Sequence, residues 1–507
     1  MDTARARGIS LFGAGAELVT VEARFVPMEK HRLEIVLSGL PDPVIRESRG
    51  RLLCALLEAG LHLGSGKLYL NLSPAGVKKS GEGLDLPLML AAVAAGGHLE
   101  PAALDGSLFL GEVGIDGQLH AVPGGLAAAQ VARDAGLARI VAPPRTAREA
   151  AYVPGTAAIA ANHVREVLRY LCGATPWPEP LQPPPDDPPA EGADELDRIR
   201  GQELGKRALA VAAAGGHALL FSGPPGTGKS MLARALADLL PPPSLAERIE
   251  MTRVASAAGL WPGGLVRHRP VRAPHHTVSY AGLVGGGNPP VAGEITLAHR
   301  GVLFLDELPE FRREALEALR QPLETGTVLI SRAGHSLRAP ARFLLVAAMN
   351  PCPCGYLGHP RRPCRCAPGV IARYRQRLSG PLIDRIDLVI DLPAPELERM
   401  DAKGKPPPPE LCGAFVKERV RAAREYATAR QGPRPNSELD ADELDRYAPL
   451  GRAEADLVER AMQRLALSAR AIQSLRRVSR TLADLEGKDR PDTAHLAQAL
   501  AMRAPNA

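Results

Sequence analysis

Eight consecutive residues, Gly223, Pro224, Pro225, Gly226, Thr227, Gly228, Lys229 and Ser230, combine turn-forming types with one ammonium and one hydroxyl. That combination suits a chain of phosphates. Glycines lack the Cβ that would keep backbone N–H groups away from phosphate oxygens, a lysine neutralises the β and γ oxygens, and a serine hydroxyl reaches a bound Mg²⁺. The apolar run ALLFSG leads into the motif and the helix-like run MLARALADLL follows it. A strand, a tight loop and a helix N-terminus are therefore expected, with ATP and Mg²⁺ as the ligands.

A second apolar run, VLFLDE, ends in Asp306 and Glu307. The first carboxylate suits the coordination sphere of the metal, and the second, by orienting or deprotonating water, implies hydrolysis rather than binding alone. A third run, RFLLVAAMN, ends in Asn350, where an amide could bond the attacking water or the γ-phosphate, although asparagine also ends many strands as a plain turn residue. In SGPLIDRIDL, Arg385 stands between two aspartates just before a further apolar run. There it could reach a neighbouring subunit's γ-phosphate as an arginine finger, or pair with Asp384 or Asp387 as surface arginines do.

Such residues need elements to hold them in place. Short apolar runs alternating with helix-like segments imply a parallel sheet covered by helices on both faces, and from about Phe415 onward the apolar period of 3.6 residues implies a helical subdomain. Two proline-dense stretches, Thr175 to Pro189 and Pro406 to Pro409, break the chain. A length of 507 residues is enough for several separate cores. The expected organisation is α/β and multidomain: an α+β domain over 1–173, a linker over 174–193, a P-loop core over 194–398 and a helical lid over 399–507.

Four of the seven cysteines, Cys352, Cys354, Cys364 and Cys366, form two C-x-C pairs. They could present four thiolates to a structural Zn²⁺, with His359 between them as a substitute ligand; unliganded or redox-sensitive thiols are the rival reading. A net charge of +6 tolerates a polyanionic partner, but most of the arginines serve to solvate the surface. The first residues lack an apolar leader, and no apolar run is long enough to span a bilayer, so a cytoplasmic protein without a membrane partner is expected.

GPPGTGKS, RAPHHT (Arg272 to Thr277), VGGG (Val284 to Gly287), GEITLAHRGVLFLDELPEF and AAMNPCPCG together resemble the YifB/ComM family of magnesium-chelatase-like AAA+ ATPases, over nearly the whole chain. The resemblance implies a ring, a hexamer, that hydrolyses ATP to act on single-stranded and branched DNA, promoting branch migration during natural transformation or recombination. It also implies that Arg470, in SARAIQSLRRVSRTLADLEG, is a second sensor of the γ-phosphate, with Arg476 and Arg477 as rivals. The extra residues between Met251 and Arg300, and a hairpin in TVLISRAGHSLRAPARF, would be insertions aimed at a central pore. On that hairpin Arg332, His335 and Arg338 could touch a phosphate backbone.

Near the N-terminus, GEVGIDGQLHAVPGGL and GLARIVAPP resemble the proteolytic domain of Lon, whose chemistry requires a serine activated by a lysine. Gly83, Leu84 and Asp85 stand where that serine would fall, and Ala127 where the lysine would. Only a rearranged pair, Lys79 and Ser80, could replace them, so a non-proteolytic domain used for binding or assembly is expected. The rival functions are an ATPase subunit of a metal chelatase and a protein-remodelling chaperone.

Overall fold

The structure is a computed structural model describing all residues except 1–2, 13–14, 30–32, 40, 75–78, 80–81, 184–194, 288–290, 333–334, 395–407, 466 and 504–507. In the N-terminal part, alternation of buried and more exposed residues along the 13-residue strand Gly15–Pro27 marks a sheet with one covered face. Seven strands, β1 (Ala4–Phe12), β2 (Gly15–Pro27), β3 (Glu34–Ser38), β4 (Gly66–Ser73), β5 (Ser107–Phe109), β6 (Arg139–Ala142) and β7 (Ala157–Ala160), form one mixed sheet in the order β3-β4-β2-β1-β5-β6-β7. The pairs β1–β2 and β2–β4 are antiparallel and the others parallel. The helix Asp85–Ala95 is buried from Asp85 to Ala94, because leucine, alanine, valine and methionine occupy all its sides.

The central part is a second sheet built from β8 (Leu219–Ser222), β9 (Val271–Arg272), β10 (Val302–Leu305), β13 (Leu344–Met349) and β14 (Leu388–Asp391), in the order β9-β10-β13-β8-β14. All its pairings are parallel, and every residue of β10 and β13 is buried, as continuous apolar strands covered on both faces require. This is the α/β AAA+ arrangement. An antiparallel hairpin of β11 (Thr327–Arg332) and β12 (His335–Pro340) stands between β10 and β13 in the chain.

The C-terminal part is helical: Gly413–Gln431, Ala441–Tyr447, Arg452–Leu465, Ala469–Leu485 and Thr493–Ala501. Val416, Val420, Leu475, Val478 and Leu482 share one apolar cluster with Leu209, Leu219 and Leu388, so these helices complete a core begun by one face of the sheet. Buried polar groups register the two parts. His217 bonds Asp387 through Nδ1 at 2.9 Å and Thr481 through Nε2 at 2.7 Å. Asp484 accepts from Arg430 at 2.6 Å, Arg480 at 2.9 Å and Asn436 at 2.7 Å.

The N-terminal sheet also touches the core directly. Ser244 caps the helix Leu245–Ala257, and at its other end Ser256 Oγ accepts from the Gly124 N–H at 2.9 Å. Arg253 donates to Gln130 Oε1 at 3.1 Å, and Leu265 is buried among Leu126, Ala129 and Ile140 of the N-terminal domain. The first part of the proline-dense stretch lies on that domain as well: Leu181 N–H donates to the Ala158 carbonyl at 2.8 Å, and Arg139 stacks 4.5 Å from the Trp177 ring centroid.

Candidate functional site: a nucleotide site and a detached arginine pair

β8 ends at Ser222 and the helix Lys229–Leu239 begins at Lys229, so residues 223–228 form the loop between the carboxyl end of a central strand and a helix N-terminus. Gly226 and Gly228 take φ of +79° and +83°, a region only glycine enters without strain, and a Cβ built on either would meet nothing within 4 Å. The loop is an open cradle fitted to phosphates. Lys229 Nζ lies across it, donating to the carbonyls of Gly223 at 2.7 Å and Pro224 at 2.9 Å and to Asn350 Oδ1 at 3.2 Å. Burial pulls the Lys229 ammonium below the usual lysine range, partly offset by Asp306 and Glu307. A triphosphate would satisfy the same ammonium with charge in place of carbonyl dipoles.

Ser230 Oγ donates to Asp306 Oδ2 at 2.8 Å, which brings the hydroxyl and the carboxylate proposed for Mg²⁺ to one point. Oxygen donors of this kind suit that cation. Glu307, one residue beyond, has φ of +51°, and its N–H donates to Asp306 Oδ1 at 2.9 Å. Left-handed backbone at a non-glycine residue costs about 1–3 kcal/mol and persists where the surroundings enforce it. His276 Nδ1 lies 3.1 Å from Glu307 Oε2, and its ring meets Phe311 edge-on with centroids 6.5 Å apart. In the sequence the RAPHHT motif assigns this histidine no task. The signal was present: two adjacent histidines placed just past a short strand that neighbours β10.

Arg385 and Arg470 do not join this group. Arg385 precedes β14, at the amino edge of the parallel sheet, whereas the phosphate loop follows β8 at the carboxyl edge. Arg385 Nη2 lies 2.7 Å from Glu324 Oε1, and Arg470 donates to the same oxygen. The hydrogen bond from Arg385, followed by that from Arg470, holds the Glu324 carboxyl below the usual glutamate range. Arg385 Nε is buried without a partner among the described residues. These groups line a polar cavity of about 530 Å³ together with Arg342, Asp384 and Arg477. Arg476 donates to Asp445 at 2.7 Å, and Arg477 donates to the Leu439 carbonyl at 2.8 Å.

Three family models match successive parts of the chain. The description "Magnesium chelatase, subunit ChlI" matches residues 195–400, "Magnesium chelatase, subunit ChlI C-terminal" matches 412–503, and "Subunit ChlI of Mg-chelatase" matches 25–146. The chain is 40% identical over 502 residues to Competence protein ComM of Haemophilus influenzae, covering 97% of this chain and 96% of that protein. It is 39% identical over 502 residues to the protein YifB of Salmonella typhimurium, covering 97% and 95%. This chain belongs to the YifB/ComM family. The Magnesium-chelatase 38 kDa subunit of Cereibacter sphaeroides is 32% identical over 177 residues, which is 30% of this chain and 51% of that subunit.

Other residues singled out by sequence can be placed within this YifB/ComM architecture. Arg332 and His335 pair at the end of the β11–β12 hairpin, and their side chains lie outside the described residues; Arg338 is exposed. The four sulfurs of Cys352, Cys354, Cys364 and Cys366 lie within 4.8 Å of one another, a group that could hold a metal ion. His359 is not part of that group, and its Nδ1 accepts from the N–H groups of Arg361 and Arg362 at 3.1 Å. In the N-terminal domain Asp85 accepts from Ser48, from Arg51 at 2.8 Å and from the Val113 N–H at 3.3 Å, while Ala127 is buried. Burial pushes the Asp85 carboxyl up despite those bonds. Lys79 is fully buried and donates to the Pro74 carbonyl; Ser80 lies outside the described residues. No described helix is long and apolar enough to cross a membrane.

Proposed function

We propose that this protein is a ring-forming ATPase, assembled as a hexamer, that moves single-stranded and branched DNA to promote branch migration. The observation that carries the reading is a division of labour across the sheet. Lys229, Ser230, Asp306, Glu307 and Asn350 gather at one edge, while Arg385 and Arg470 share Glu324 at the other. A chain built so has the means to bind ATP and polarise water on one side, and in this reading its two guanidiniums on the other serve a neighbouring copy's γ-phosphate. Mg²⁺, held by Ser230 and Asp306, would neutralise the β and γ oxygens. Glu307, positioned by His276, is the base or orienting group for the attacking water. DNA as the substrate is favoured by the name of the ComM relative, which ties that protein to competence, and by exposed Arg338 on the hairpin.

The test is ATP-dependent movement of a labelled three- or four-stranded DNA junction by the purified chain at fixed salt, with Glu307→Gln as the blank. Movement is expected with the native chain and not with the variant. Mixing Arg385→Ala with Lys229→Ala chains should recover turnover that neither has alone. Removing an arginine finger typically lowers turnover by about 10³–10⁵-fold. ATP hydrolysis without DNA binding or junction movement would exclude the DNA reading and point to a chelatase-like or protein-remodelling partner.

A further inference from the structure

Directly after Asn350 the chain enters a loop that has almost no core of its own. From Pro351 to Ala367 it forms neither helix nor strand, and of its side chains only that of Cys352 is deeply buried. What converges in it is sulfur. Cys352 Sγ lies 3.4 Å from Cys354 Sγ and 3.6 Å from Cys364 Sγ, and the last two are 3.6 Å apart. Cys366 Sγ completes the group, within 4.8 Å of the other three sulfurs, and the Cys366 N–H donates to Cys364 Sγ at 3.4 Å. Four thiolates bound at about 2.3 Å to a tetrahedral Zn²⁺ stand about 3.8 Å apart, whereas a disulfide needs about 2.05 Å. The separations are those of a coordination shell. From Pro351 to Ile383 the chain also carries six arginines and no carboxylate, a positive surround for a centre that would carry two negative charges.

The loop presses on the phosphate site. Gly355 has φ of +81°, and a Cβ built on it would lie 2.7 Å from Pro225 Cδ and 3.9 Å from Asn350 Cγ. The cysteine loop thus meets the phosphate loop through a residue with no side chain, directly beside the amide that Lys229 touches.

We propose that Cys352, Cys354, Cys364 and Cys366 bind one Zn²⁺ as a closed structural tetrathiolate, and that this knot holds Asn350 and Gly355 against Pro225, so that metal occupancy sets the geometry of the phosphate site. The second half rests on reading residues 223–230 and Asn350 as the nucleotide site. Binding releases the thiol protons to solvent and involves no oxidation or reduction. A loop without its own apolar core takes its shape from the metal, as small metal-folded modules do. Displacing a positioning group by about 1 Å can lower turnover by about 10²-fold.

The experiment uses the full-length chain purified under reducing conditions. Elemental analysis is expected to give one zinc per chain, lost in Cys352→Ser and in Cys364→Ser, and a mercurial that blocks thiols should release it. Stripping the native chain with a chelator should speed amide exchange in both 223–230 and 350–355 and lower ATP turnover by about 10–100-fold, and added Zn²⁺ should restore both. Reversal by zinc separates loss of the metal from misfolding of a variant. A chain that holds no metal, holds iron instead, or forms disulfides among these cysteines overturns the site. Zinc that leaves without changing exchange in 223–230 overturns the coupling. A native chain with one zinc and zinc-dependent exchange but no ATP turnover would sink the motor reading and leave this inference standing.

Discussion

Glu307 sits in a left-handed backbone conformation with one carboxylate oxygen 3.1 Å from His276. A glutamate meant to direct a water molecule has to be aimed, and here the aim is set from two sides, by the strained turn after β10 and by the imidazole. His276→Ala should therefore lower kcat by about tenfold while changing nucleotide affinity little, because the histidine touches the carboxylate and not the phosphate cradle. Steady-state ATPase rates beside fluorescent-nucleotide titrations measure both quantities. An unchanged kcat would make the contact incidental. Lys229, Asp306 and Asn350 were readable in the sequence because each ends or follows a contiguous apolar run whose fold could be foreseen. Glu324 was not, since Arg470 lies 146 residues from it and nothing in the local pattern around Glu324 announces two arginine partners.

The helix Leu245–Ala257 carries Glu250, which accepts from Arg300 at 2.8 Å and meets His299 at 3.2 Å. The hydrogen bond from His299, aided by Arg300, holds the Glu250 carboxyl down to about 2, against an ordinary value of 4.5. Burial in turn lowers the His299 imidazole below its ordinary 6.5. Both groups bind protons less readily in the folded chain than in the unfolded one, so both make stability fall on acidification. The part due to His299 is lost below pH 6.5, and the part due to Glu250 is complete above 4.5 and disappears as the pH falls toward 2. Glu250→Gln should flatten the lower of these steps in a plot of denaturation midpoint against pH, while the upper step persists. A lower step of unchanged height would place its origin elsewhere. At this scale the parallel strands were legible from their unbroken apolar composition and the C-terminal helices from their period. The docking of those helices on the sheet was not, because it depends on His217, Asp387 and Thr481 meeting across long stretches of chain.

For the whole molecule, the proline-dense stretch reads in sequence as a linker between two domains. The two parts also touch directly. Leu265 is seated among N-terminal residues, the Gly124 N–H reaches Ser256 across 132 positions of sequence, and Arg253 holds Gln130. Burial pushes the Glu149 carboxyl up between the two parts, although Ser256 and the N–H groups of Leu126 and Gly125 bond it. The peptide link is thus not what keeps the first domain on the second. A protease that cuts only within the proline-dense stretch should give two fragments that travel through a sizing column as one particle and come apart only in denaturant. Separation in plain buffer would show that the contacts are too weak to hold. A nicked chain that stays whole would behave as a two-piece protein, and the halves, expressed from separate messages, should find each other and rebuild it.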